Sequence, residues 1–195
     1  SSSSAASSSS AASSSSPTST VQSMPDASPG KWHLAHTSWF FEVMILARRP
    51  DYTAGDDRLQ VLFNSYYETL GHRLERSERG LMTRPSLDDV MAYRREIDRR
   101  MGARLVEGLV DDKERYLFEL GLHHEEQHQE LFLMDMLNLM ARSPLDPQAY
   151  EAEPRFGPPQ ASKGGWVRFE GGLADSGAGD DGFGFDNEKP VHRVW

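Results

Sequence analysis

Residues 121–131 read GLHHEEQHQEL, and the placement of their histidines decides how the rest of the chain is read. His124 and His128 are four apart, about one helical turn. Around them Leu117, Leu120, Leu131 and Met134 recur at three- and four-residue steps, the pattern of an amphipathic helix. Steps of three and four from Leu117 and Leu120 land on His124, Gln127 and His128, so these three are expected on the core-facing stripe. His123 falls with Tyr116, Glu119, Glu126 and Glu130 on a face that reads as solvated. Two imidazoles one turn apart inside a helical core need partners, because an unsatisfied buried polar group costs about 1–3 kcal/mol. Neighbouring acids can serve, and so can one shared metal ion, for which histidines at i and i+4 are a recurring arrangement.

Working outward, this helix is expected to begin near Asp111 and Asp112, whose charges suit a helix N-terminus, and to end before Ser143-Pro144. Ser86 opens a preceding helix, with Asp89 three residues later as a variant of the capping box. Residues 58–71, RLQVLFNSYYETLG, form another amphipathic segment closing at Gly71. Between these two lies the basic, irregular stretch HRLERSERGLMTRP. The first helix, KWHLAHTSWFFEVMIL from Lys31, carries Trp32, His36, Trp39, Phe40 and Val43 on one face. Four helices joined by fairly short links predict a mainly α fold, with an antiparallel four-helix bundle over residues 30–142. His36 lies on the inward face and is the expected third metal ligand, whereas His33 sits off that face and is the weaker candidate. Three neutral imidazoles leave positions open on a metal, and both Zn²⁺ and Fe²⁺ accept them.

The flanks differ in character. Residues 1–29 are almost entirely Ser, Ala, Thr and Pro with one charge, Asp26. Such a segment has little to bury and is expected to be a disordered tail. Residues 143–163 form a Pro-rich linker. Residues 164–195 are Gly-rich with β-prone pieces, WVRF and HRVW, and are expected to begin a second, non-helical domain. About thirty residues are too few for an independent core. The net charge of -9 and the lack of a basic, aromatic-interleaved cluster argue against a nucleic acid or anionic membrane partner. No apolar run is long enough to span a bilayer. There are no cysteines, so any metal is held by His, Asp or Glu. A soluble, cytoplasmic protein is the expectation.

One motif pulls the other way. HEEQH, residues 124–128, matches the zinc-protease pattern H-E-x-x-H, in which Glu125 would be the general base. Its extended form, with Gly and a third His downstream, is absent. A downstream acidic ligand such as Glu151 or Glu153 falls in the Pro-rich linker, and Glu125 groups with Phe118, Leu122, Gln129 and Phe132 to one side of the histidine stripe.

Taken together, KWHLAHTSWFFE, FNSYYETLG, HHEEQHQEL and GFDNEKPVHRV, in that order, resemble the ergothioneine-type sulfoxide synthases over residues 31–195. These join a DinB-like helical domain to an α+β, C-type-lectin-like domain resembling the formylglycine-generating enzyme. The resemblance implies a three-histidine site for non-haem Fe²⁺ formed by His36, His124 and His128, the residues that periodicity selects. It implies that Gln127 contacts hercynine (trimethylhistidine), and that an Arg-x-x-Arg pair, most nearly matched by Arg76 and Arg79 with Arg84 as a rival, holds the thiol substrate's carboxylates. The implied reaction is O2-dependent C–S bond formation between hercynine and a thiol such as cysteine or γ-glutamylcysteine, giving a sulfoxide. The family's catalytic tyrosine is expected beyond Trp195, leaving a complete iron site in an incomplete active site. Ovothiol- and selenoneine-type synthases are close alternatives. So is a DinB-like thiol transferase or hydrolase using zinc or nickel, and a non-catalytic protein with structural or regulatory histidines is a further one.

Overall fold

A computed structural model describes residues 19–65, 74–109, 111–145, 147 and 164–195. The chain divides into two units, residues 1–147 and 148–195. The first is helical, and the protein as a whole is mainly α: α1 spans Gly30–Met44, α2 Asp57–Leu62, α3 Leu87–Glu107 and α4 Asp112–Ala141. Short 3-10 turns occupy Leu46–Arg48 and Arg76–Leu81. The helix expected over residues 58–71 therefore appears as the six residues of α2, and its end at residues 66–71 lies outside the described residues.

The helix starts follow from capping chemistry. At α3 the Ser86 side chain accepts from the Asp89 amide while the Asp89 carboxylate accepts from the Ser86 amide, a complete capping box. At α4 the Asp111 carboxylate accepts from the Glu114 amide at 2.7 Å. Pro29 precedes α1, where its missing N–H costs nothing.

Helix α1 packs against both α3 and α4, so nearly every side of it is covered. Trp32, Ala35, Trp39 and Phe40 enter one core with Phe63, Met82 and Val90. At its C-terminal end Ile45 and Leu46 join Ile97, Met101 and Leu117. A helix covered all round would ordinarily be apolar, yet α1 buries Lys31, His33, His36, Thr37, Ser38 and Glu42. Each of these polar groups has an address. Lys31 Nζ donates to Pro85 O at 2.9 Å, Ser38 donates to Leu34 O, and Glu42 accepts from Tyr52 and Tyr93. Contacts also set the directions. Gly30 meets Phe132, His36 meets His124 and Phe41 meets Gly121, so α1 and α4 are antiparallel. Lys31 meets Pro85, Thr37 meets Arg94 and Ile45 meets Ile97, so α1 and α3 run the same way.

Two expectations need correction. The tail expected to be disordered through residue 29 is ordered over its described part, residues 19–29. Ala27 and Ser28 are buried, the Ser28 amide donates to Asp135, and Gln22 bonds Ala27 O, Arg76 O and the Gly80 amide. A few backbone and side-chain hydrogen bonds to the helical unit accomplish what composition could not. The buried stripe of α4 is also rotated by one residue over its second half. Gly121, His124, His128, Phe132 and Asp135 meet α1 and the segment before it, whereas Leu131 and Met134 are 42% and 59% exposed. The run LFLMDMLNLM is apolar on several faces, so hydrophobicity alone could not choose among them.

In residues 164–195, β1 (Ala174–Ser176) pairs antiparallel with β2 (His192–Val194), with Asp175 opposite Arg193. HRVW thus supplies a strand, whereas WVRF is irregular, with Trp166 and Phe169 exposed.

Candidate metal centre

Three imidazoles converge where α1 crosses α4. One ring nitrogen from each of His36, His124 and His128 lies within 4.8 Å of the others, and the ring centroids are 4.6–5.0 Å apart. The approach depends on a glycine: a Cβ at Gly121 would lie 2.6 Å from the Phe41 ring. Without that side chain α4 comes close to α1, and His124, one turn on, reaches the cluster. His36 is itself stacked on Trp32 (4.4 Å, 15°) and on Trp39 (5.3 Å, 13°), which fixes its ring plane.

The hydrogen bonds leave ring nitrogens of the cluster without partners. His36 Nδ1–H donates to Phe63 O at 2.7 Å, so its Nε2 carries the lone pair, and that atom is buried without a partner. His124 Nδ1 is likewise buried and unpartnered. Buried polar atoms are nearly always paired, so two open nitrogens facing a third imidazole fit an ion. Burial also keeps the rings neutral. It pushes His36 down to about 3, His124 to about 4 and His128 to about 2, with neighbouring imidazoles and Arg79 lowering His36 and His128 further. Neutral imidazole is the form that binds a metal. Nitrogens around one ion with bonds of about 2.0–2.1 Å sit roughly 3–4 Å apart, so small inward ring movements complete the site. The all-imidazole donor set suits zinc, iron, copper or nickel and selects none of them.

The other predicted residues divide. Arg79 is buried, with its guanidinium 3.4 Å over the Trp32 ring and bonds to Ser28 Oγ and Ser65 Oγ. Arg76, in the same 3-10 turn, is exposed, so the pair does not point to one place. Arg84 is exposed too. Gln127 lies at the exposed edge of α4 beside the cluster, a result of the rotated stripe. His123 is half-exposed and meets Glu126 at 3.0 Å, on the solvated face as expected. Glu125 is engaged by Arg94, at 2.7 Å to one oxygen and 3.3 Å to the other, with Arg94 also donating to Thr37. Burial works to raise its pKa, but hydrogen bonds from Arg94, Thr37 and Gln129 outweigh that and hold the carboxyl below its usual value. Glu125 serves as a clasp joining α1, α3 and α4, which is poor preparation for a general base. The residue underrated by sequence reasoning is His33. It is buried, with Nδ1 2.9 Å from His128 Nδ1 and Nε2 3.1 Å from Asp135 Oδ2. The signal was available: His33 is three residues before His36, and Asp135 is seven after His128. Beside these residues lies a cleft of about 280 Å³ walled by Leu34, Phe132 and Leu133, with Thr37, Glu125 and Gln129 as its polar edge.

Fold and site together define a mainly helical protein with a buried three-histidine cluster that could hold a metal ion. No family model matches the chain, and no curated protein matches it in sequence. No helix among the described residues is long and apolar enough to cross a membrane.

Proposed function

We propose that the protein is a non-haem iron(II), O2-dependent sulfoxide synthase joining hercynine to a thiol, with a DinB-like four-helix bundle as its metal-binding unit. The observation that supports this reading best is the convergence of His36, His124 and His128 with two buried, unpartnered ring nitrogens. The helix directions suit an up-down-up-down bundle, since α1 and α3 run together and α4 against them. Ferrous iron, when bound, supplies redox chemistry with O2 and open coordination positions. The chain's own part is to hold and to exclude. His36, His124 and His128 hold the ion, and Trp32 and Trp39 keep water from the back of His36. The cleft beside His128 offers room for a small substrate, with Thr37, Glu125 and Gln129 as its polar edge; Gln127, which the resemblance assigns to hercynine, is exposed on α4 outside that lining. Arg79 contributes fixed positive charge near the imidazoles, where a substrate carboxylate would be attracted. Orientation of reactants accounts for most of what such a site can add.

The protease reading is weaker because Glu125 already has Arg94 as its partner. Anaerobic titration with Fe²⁺ is expected to give one ion per chain, and hercynine is expected to bind the iron-loaded protein more tightly than the metal-free one. Gln127→Ala is expected to weaken that hercynine binding without removing iron. Zinc-dependent peptide hydrolysis that vanishes in Glu125→Gln would overturn the synthase reading, as would hercynine binding indifferent to iron.

A further inference from the structure

We propose that Asp135 and His33 form a hydrogen-bonded relay that holds His128 in the one tautomer able to present Nε2 to a metal. The inference rests on the metal-centre reading of the three histidines but on none of the synthase chemistry. Asp135 Oδ2 is an acceptor only. It takes the Ser28 amide at 2.8 Å and His33 Nε2–H at 3.1 Å. A neutral His33 with its proton on Nε2 has only a lone pair on Nδ1. The contact from His33 Nδ1 to His128 Nδ1, at 2.9 Å, then requires His128 to be the donor. His128 therefore carries its proton on Nδ1, and Nε2 is left as the lone pair, the same state that Phe63 O imposes on His36.

The relay is built into the fold. Its anchor is doubly held, because the Ser28 amide lies in the ordered segment before α1 and Asp135 lies two turns beyond His128 on α4. His33 is 5% exposed, so water cannot replace either of its partners cheaply. Phe132 packs edge-on against the His33 ring, which limits ring flips that would exchange Nδ1 and Nε2. His33 and Asp135 are thus positioning residues. They bind no metal and act through His128. Partners of this kind commonly change metal affinity about 10- to 100-fold when removed.

The test uses the full chain, with Co²⁺ as the metal probe and ¹⁵N-labelled metal-free protein for the tautomer. In the parent protein, long-range ¹H–¹⁵N spectra are expected to show His128 protonated on Nδ1. His33→Phe removes the acceptor, so His128 is expected to lose that preference and Co²⁺ affinity to fall about 10- to 100-fold. His33→Asn puts a carbonyl oxygen near the Nδ1 position and is expected to restore both readouts in large part, which a purely packing role for His33 would not produce. Should His33→Phe fail to fold, Asp135→Ala tests the other end. It removes the larger of the two acceptors that hold the His33 proton, the smaller being the Ser28 backbone, so the His128 preference for Nδ1–H is expected to weaken and Co²⁺ affinity to fall. The proposal is overturned if His128 shows no tautomer preference in the parent, if His33→Phe binds Co²⁺ as tightly as the parent, or if His33→Asn is as impaired as His33→Phe. A parent chain that binds no divalent ion removes the metal centre and this relay together. Tight Co²⁺ binding that tracks the relay, with no iron-dependent hercynine binding, sinks the synthase reading alone.

Discussion

Two of the buried polar clusters in the helical unit differ in whether they are complete. Where α3 turns into α4, Arg104 donates to both oxygens of Glu114, at 2.7 and 2.6 Å, and to Gly108 O at 2.5 Å. That cluster closes the α3–α4 connection. Where α1 crosses α4, His36, His124 and His128 meet with ring nitrogens left over. Burying either set is costly in itself, since both give up water. The guanidinium and carboxylate recover the loss from each other, whereas the imidazoles, left with unpartnered ring nitrogens, are suited to recover it from a cation. Completeness, more than burial or charge, separates a structural polar cluster from a candidate site.

His36→Ala, His124→Ala and His128→Ala are each expected to abolish stoichiometric Fe²⁺ binding in anaerobic titration while leaving a folded protein. Metal retained in any one of them would remove that residue from the site. On the complete side, Glu114→Ala leaves Arg104 with Gly108 O and a longer ion pair to Glu107 at 3.6 Å, and is expected to cost about 1–3 kcal/mol in urea unfolding. A loss under 1 kcal/mol would show that the pair is not closed to water.

Acid sharpens the contrast. The three histidines sit at about 3, 4 and 2 when folded, because of burial, against 6.5 for the ordinary side chain. Below pH 6.5 the unfolded chain takes up protons that the folded chain refuses, so the sign is destabilising on acidification. The metal-free protein should hold full stability above about pH 6.5 and lose it steadily toward pH 4, as read by denaturant midpoints. A flat profile over that window would mean that the rings are hydrated.

Smaller effects test the geometry between the clusters. Gly121→Val sets methyl groups against the Phe41 ring and is expected to cost about 1–3 kcal/mol. It should also weaken metal binding, because His124 rides on the same turn-to-turn approach of α1 and α4. His123→Ala is expected to change stability by less than about 0.5 kcal/mol and metal binding not at all, as a solvated neighbour should. Equal damage from His123→Ala and His124→Ala would show that the helix faces are misassigned.

Much of the frame was legible in residue patterns. The starts of α3 and α4 could be read from Ser86 with Asp89 and from Asp111, because caps act within one turn and need no tertiary partner. The three converging histidines could be read as well, His124 and His128 from their steps off Leu117 and Leu120 and His36 from the Trp32/Trp39 face of α1, although the same steps carried Gln127 inward, where it is exposed. Farther along α4, periodicity stopped discriminating. Leu131 and Met134 belong to a run with apolar residues on several faces. The segment before α1 was misjudged for a related reason. Its composition forecasts no core of its own, but Ser28 and Gln22 are ordered by bonds to Asp135, Arg76 and Gly80, which lie far away in sequence.

What the amino-acid sequence determined by itself was local. It set the courses of α1, α3 and α4 and where they begin, and that His124 and His128 share a face with no cysteine to compete for a metal. Only the tertiary structure decided which of the other polar residues matter. A buried imidazole's proton position depends on what lies across from it, and no periodicity reports that. Asp135 meets His33, and His33 meets His128, across the α1–α4 seam. Arg94 takes Glu125 away from the role its motif suggests, by reaching over from α3. Such pairings depend on how helices pack, and close packing, here permitted by Gly121, is a property of the folded chain.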